Sequence, residues 1–291
     1  MKKNIMLLNN VLGDVINQTY SAAYQKNGVS GVASGFPDLD KITKGWQKGE
    51  LILLTGYERM GVGNLLISMA LKMGIVNETP LAFFSLQKSC ENLVQRMIMD
   101  ISGLSLDKIM SGQLGEGEWD DLQKADDRLT DKPIYMYDAP NPGMEEIAEK
   151  AEQLVQNENV EILLIDNLRA IATNNPNEDG IARTAQALKI LARELDVPIL
   201  AAFEIKNELY ASSGKYGKRP ERLHFQNEEQ IFEKADCVCF LHRPEFFHIT
   251  EDEDGNSTFG TGELILQRHK EAEPDIIKIL TKMEYGPSRE N

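Results

Sequence analysis

Residues 50–70, ELILLTGYERMGVGNLLISMA, constrain this chain more than any other stretch. Leu51, Ile52, Leu53 and Leu54 form an apolar run with the length of a buried strand. Gly56, Gly61 and Gly63 break it, and Leu65, Leu66, Ile67, Met69 and Ala70 resume in a helical pattern. A strand that turns through glycines directly into a helix is the shape of a phosphate-binding loop, in which N–H groups at the helix start point at an anion. The same glycines also suit a plain tight turn, so the residues around them must decide. Gly56 and Gly61 stand at the spacing of the first half of G-x-x-x-x-G-K-[ST]. In the second half, Val62 stands where the phosphate-bridging lysine belongs, and Gly63 where the magnesium-ligating hydroxyl belongs. Met60 and Asn64 belong to the same loop, and Arg59 inside it is a candidate substitute cation, with a guanidinium's different reach and geometry.

Downstream, PLAFFSLQ reads as a second buried strand. Residues 89–102 read as a helix capped by Ser89, with an apolar stripe of Leu93, Val94, Met97, Ile98 and Ile101. Short helical patterns run to about Leu129, followed by a strand at 134–137, a helix at 144–157 and the strand ILLID ending on Asp166. A helix at 181–195 and the strand VPILAAFE complete the alternation. Strands alternating with helices predict parallel strands joined by crossovers, with both sheet faces covered. The closing third differs: ADCVCFLHR, an acidic Thr- and Gly-rich turn, GELILQRHK and DIIKILTKM read as successive short strands. The expectation is an α/β chain with a mostly parallel central sheet flanked by helices and an antiparallel β extension near the C-terminus. Residues 1–30 are expected to form an amphipathic helix and tether, 31–285 the core domain and 286–291 a tail.

Charge limits the partners. With 31 basic against 46 acidic residues the formal net charge is −15, which opposes a broad grip on nucleic acid, so any such contact must be local. The polar stretch after Lys206 holds most of the local positive charge, in Lys215, Lys218, Arg219 and Arg222. The three cysteines Cys90, Cys237 and Cys239 give no even disulfide framework; alternation turns the last two to one face of a strand, as buried thiols in a reducing cytoplasm. The four histidines show no metal-ligand spacing. Asn9, Asn10 and Asp14 interrupt the apolar start, which argues against a signal peptide or membrane span.

SGFPDLDKITKGWQKGELI, FFSLQKSCENLVQRM, LLIDNLRAI, LKILARELDVPILAA, KRP and ADCVCFLHR, in this order, resemble the C-terminal motor domain of DnaB-type replicative DNA helicases. The resemblance implies a RecA-like P-loop NTPase fold, a cytoplasmic ring-forming homo-oligomer assembled through the N-terminal helix, and ATP with magnesium as cofactors. Position by position it also implies loss. The phosphate-binding lysine falls on Val62, the magnesium-ligating threonine on Gly63 and the water-activating glutamate on Gln87, whose neutral amide cannot accept a proton. Asp166 keeps the carboxylate that holds magnesium through water. The glutamine that couples nucleotide to DNA falls on Glu204, and the arginine of the DNA-facing loop on Gln226. The basic pair that reaches into the neighbouring subunit's site appears as Arg268 and Lys270, in swapped order.

Two readings follow, and a third is weaker. In the first, the chain is a degenerate motor, binding ATP and magnesium weakly or not at all, and acting through self-assembly or docking to replication or mobile-element proteins. In the second it is a working ATP-dependent helicase or translocase, using Arg59, Asp166 and a neighbour's Arg268 and Lys270. The third is a module that binds single-stranded DNA without motor function.

Overall fold

The computed structural model describes residues 8, 12, 13, 16, 20, 29–171, 178–205, 219–220, 229–252, 254–267 and 275–280. Among them the strands are β1 (Leu51–Tyr57), β2 (Leu81–Ser85), β3 (Ile134–Asp138), β4 (Ile162–Asp166), β5 (Ile199–Ile205), β6 (Cys237–His242), β7 (Thr261–Gln267) and β8 (Asp275–Leu280). They join in one sheet, ordered β3-β2-β4-β5-β1-β6-β7-β8. The apolar runs of β1, β2, β4 and β6 are buried at every residue, as strands covered on both faces must be. Pairing is parallel from β3 through β6 and antiparallel from β6 through β7 to β8. The antiparallel extension is therefore present but begins one strand later than the sequence suggested. CVCFLH lies parallel to β1 and only its far edge takes an antiparallel neighbour. Cys237 and Cys239 share one buried face, their sulfurs 4.0 Å apart.

The helices are α1 (Pro37–Thr43), α2 (Val62–Leu71), α3 (Cys90–Ser102), α4 (Leu106–Ser111), α5 (Glu116–Leu129), α6 (Met144–Glu158), α7 (Leu168–Ile171), α8 (Glu178–Leu195) and α9 (Glu229–Phe232). Ser89 caps α3 as expected, its hydroxyl accepting from the Asn92 N–H at 3.3 Å. Two local features depart from the sequence reading. The glycine-punctuated lead into β1 contains α1, entered through Pro37 and closed by Lys44 in the left-handed region. Beyond α2 the chain widens into a π-helical turn, Lys72–Val76, where Gly74 approaches Ile134 so closely that a Cβ would stand 2.5 Å from its Cγ1. The described residues Leu8, Leu12, Gly13, Ile16 and Tyr20 are helical, and the four apolar ones are exposed.

A partly buried ion pair fixes where β1 starts. Lys189 of α8 donates to the Gly49 carbonyl at 2.8 Å and pairs with Asp236, whose Oδ2 accepts from the Leu51 N–H at 2.8 Å. One ammonium thus ties α8 to the entries of β1 and β6. Removing it strands a half-covered carboxylate, so Lys189→Ala should lower stability by about 2 kcal/mol in denaturant titration. Lys48→Ala is the control: its partner Asp196 lies 3.5 Å away with the two side chains 67% and 74% exposed, and the loss should stay within about 0.5 kcal/mol.

Candidate nucleotide site

The site lies at the C-terminal edge of the parallel strands, where α/β sheets place their ligands. β1 ends at Tyr57, the chain turns through residues 58–61, and α2 starts at Val62. Gly61 sits at φ 91° and no side chain caps the helix, so the first N–H groups of α2 are left for a ligand or water. Gly56 is required by close approach: a Cβ there would stand 2.9 Å from the Leu241 carbonyl oxygen and 3.1 Å from Val62 Cγ2. The strand, glycine turn and helix start expected from the spacing are therefore present in that order.

The side chains around the turn carry little of the usual chemistry. Val62 is fully buried with its isopropyl group over Gly56, and supplies no charge. Gly63 faces Asp166, since a Cβ on it would lie 3.3 Å from Asp166 Oδ2. The carboxylate and the position of the missing hydroxyl are thus neighbours, as shared work on a metal would need, but the hydroxyl is absent. Among the described residues no group of three or more His, Cys, Asp or Glu side chains gathers in a way that could hold a metal ion. The uncapped start of α2 offers backbone N–H groups to phosphate, while Gly63 offers no hydroxyl to magnesium beside Asp166. Arg59 and Gln87 are both exposed at the rim, Arg59 with φ 71°.

Two groups beside Asp166 went unremarked in the sequence. Ser85 pairs with Asp166 across β2 and β4, the Leu86 N–H donates to the Asp166 carbonyl at 2.7 Å, and the Ser85 hydroxyl holds the Lys88 carbonyl at 2.7 Å. Lys88 is thereby anchored near Asp166. Burial raises the Asp166 carboxyl above its ordinary range and Lys88 opposes the rise. Glu204, paired with Gly56 across β5 and β1, is raised by burial, then by the charges of Asp166 and Glu58, again against Lys88. Asp166 and Glu58 thus both bear on Glu204, with Lys88 the opposing cation. Lys88 follows Gln87 directly, and that adjacency was the available signal.

The basic stretch is placed only in part. Arg219, counted toward a DNA-facing loop, forks onto Glu263 with Nε 2.6 Å from Oε2 and Nη2 2.7 Å from Oε1. Its charge is thereby paired with a carboxylate of β7. Lys215, Lys218, Arg222, Gln226, Arg268 and Lys270 lie outside the described residues.

Matched against protein families, residues 31–287 fit the DnaB-like helicase C-terminal domain. The chain belongs to that family. It is 32% identical over 240 residues to the replicative DNA helicase DnaB of Treponema pallidum (strain Nichols), covering 81% of this chain and 53% of that protein. With the replicative DNA helicase DnaC of Bacillus subtilis (strain 168) it shares 27% identity over 98% of its own length and 63% of the relative's. The chain thus spans between half and two thirds of these two relatives. In fold it is similar to a solved ATPase domain, with a TM-score of 0.82 at 21% identity over 97% of this chain and 98% of that one. A DnaB-like replicative helicase solved to describe its interactions with primase gives a TM-score of 0.77 at 21% identity, over 95% of this chain and 65% of that one. The RecA-like P-loop fold expected from the sequence is the fold observed. Among the described residues no helix is long and apolar enough to cross a membrane.

Beside the glycine turn opens a pocket of about 330 Å³, lined in part by Gly61, Asn64 and Ser68 of the α2 entry, Arg96 and Asp100 of α3, and Arg243 beyond β6. Arg243 is held by Glu245 and donates to the Met60 carbonyl at 3.4 Å. Asp100 is only 9% exposed, its Oδ2 finds no hydrogen-bond partner among the described residues, and the nearest cation, Arg96 Nε, stands 3.5 Å from Oδ1. Burial pushes its carboxyl up to about 6, with Arg96 opposing. The folded state therefore binds a proton more tightly than the unfolded one, and Asp100 weakens the fold progressively as pH rises from about 4 to 6. Asp100→Asn should raise stability at pH 8 by about 2 kcal/mol and change it little at pH 4, read by urea unfolding at both values.

Proposed function

We propose that this chain is a DnaB-like domain that retains the RecA fold and a phosphate cradle but no longer turns over ATP usefully, and that it acts through self-association or partner docking. One observation carries the reading: Val62 lies buried over Gly56 while bare Gly63 faces Asp166, so the loop has lost its lysine and its hydroxyl in place. Gln87 removes the proton acceptor as well. Phosphoryl transfer relies on positioning and charge stabilisation, and each such group is commonly worth about 100-fold or more in rate, though the losses need not add. Three carboxylates near the loop add repulsion to an incoming triphosphate.

The relatives are replicative DNA helicases, and one solved relative is described with its interactions with primase. By that kinship the partners assigned here are further copies of this chain and proteins of replication or of mobile elements, with single-stranded DNA a weak ligand. The exposed apolar residues Leu8, Leu12, Ile16 and Tyr20, spaced four apart on one helix face, support docking on a neighbour.

A second reading keeps hydrolysis. Arg59 is exposed in the loop and Lys88 stands near Asp166, so positive charge is available. Here Asp166 would hold the metal through water and a neighbour's Arg268 and Lys270 would complete the site.

Phosphate release from ATP with magnesium and single-stranded DNA separates the two. The expected turnover lies at least a thousandfold below the roughly 10 per second typical of enzymes. Helicase-like turnover that DNA stimulates and Asp166→Ala abolishes would establish the second reading instead. For assembly, light scattering after gel filtration should find a species larger than the 32.7 kDa monomer. The double substitution Leu12→Asp, Ile16→Asp should return it to monomer with its melting temperature little changed.

A further inference from the structure

The pocket beside the loop holds a buried charge that is incompletely satisfied. Asp100 lies on the buried side of α3, yet nothing described gives its Oδ2 a hydrogen. Arg96 is offset at 3.5 Å, and its Nε is itself buried without a hydrogen-bond partner. Arg96 pairs with Oδ1 only loosely and leaves Oδ2 unsatisfied, so the carboxylate is incompletely compensated, and a ligand that supplies N–H groups would complete it.

Size and position fit that ligand. The pocket runs along α2 from Gly61 to Ser68, seven residues and so about 10 Å at helical rise. This is comparable with the distance from the terminal phosphate of a nucleoside diphosphate to the far edge of its base. Phosphates held at the uncapped start of α2 therefore leave the base toward α3. Leu65, Leu241 and Ile279 provide apolar walls for a planar ring, and about 330 Å³ falls in the range of small-molecule sites.

Hydrogen-bond polarity then selects the base. An ionised carboxylate only accepts. The guanine edge presents two adjacent donors, N1–H and the 2-amino group, that match its two oxygens. The adenine edge sets the N1 lone pair beside its amino group, so one carboxylate oxygen would face a lone pair. We infer that this pocket takes the base of a guanine nucleotide, with Asp100 as the specificity-determining residue that accepts from N1–H and the 2-amino group. The inference rests on the proposal that the loop binds phosphate, and it names the nucleotide that the loop prefers.

Calorimetric titration of the full chain with GDP, IDP and ADP, with and without magnesium chloride, tests it. GDP should bind at least about tenfold more tightly than ADP, the discrimination expected of a good bidentate base contact, and IDP, which lacks the 2-amino group, should fall between them. Asp100→Asn presents one donor and one acceptor, the pattern adenine complements, and should erase or reverse the preference. Equal affinity of the wild-type protein for GDP and ADP overturns the inference while leaving the phosphate cradle standing. Binding of none of the three at millimolar concentration removes the cradle and the inference together. A preference for GDP that survives Asp100→Asn places the selecting group elsewhere and overturns the assignment, and the IDP comparison decides on wild-type protein alone should the variant misfold.

Discussion

β1 is paired along both edges, to β5 and to β6, and none of its seven residues is exposed. A strand so enclosed cannot slip by one residue without turning every side chain to the opposite face of the sheet. The turn that follows is therefore delivered at a fixed height, with Gly56 level with Glu204 on one side and Leu241 on the other. β2 and β4 add Ser85 level with Asp166. The carboxylates, the glycine turn and the start of α2 converge because strand register places them there. Lys189 secures the other end of the strand, so both the entry and the exit of β1 are specified.

The scaffold of such a loop and its chemistry depend on different atoms. Phosphate recognition at a helix start uses backbone N–H groups, and these follow from the turn and the uncapped helix whatever side chains surround them. Charge neutralisation and proton transfer use side chains, and those are the positions that differ. A lysine replaced by buried Val62 removes a charge from a covered place at no evident loss to the fold, and Gly63 presents no side chain toward Asp166. With Glu58, Asp166 and Glu204 near one another, Lys88 is the cation that moderates two of them.

Much of this was legible in the residues. Continuous apolar runs marked the buried strands, the Ser89 cap set the start of α3, and glycine spacing located the turn. What escaped depends on distant parts of the chain meeting. The π-helical turn at Lys72–Val76 reflects the approach of Gly74 to Ile134, sixty residues away, which no local propensity encodes. CVCFLH looks like any short strand, and only its neighbours make it the last parallel member of the sheet. The pairing of Arg219 with Glu263, 44 residues later, is likewise invisible in the local sequence. Asp100 did leave a trace: it follows Leu93 by seven and Met97 by three, on the same face as the buried stripe, where a carboxylate calls for a partner.

Substitutions that remove catalysis and those that preserve binding leave opposite thermodynamic marks. On the proposed reading, Val62, Gly63 and Gln87 carry no charge where catalysis would need polar or charged groups, and a fold generally tolerates the absence of such groups. A buried carboxylate with one oxygen unsatisfied works the other way. It lowers stability at neutral pH in every molecule, and exchange for asparagine or leucine would relieve it. On that same reading the groups of hydrolysis are gone, while Asp100 in the adjoining pocket keeps a cost that its packing does not offset. Recognition of a ligand by that carboxylate, as inferred above, would offset the cost, and this makes the pocket, more than the glycine turn, the place where the proposed function is tested.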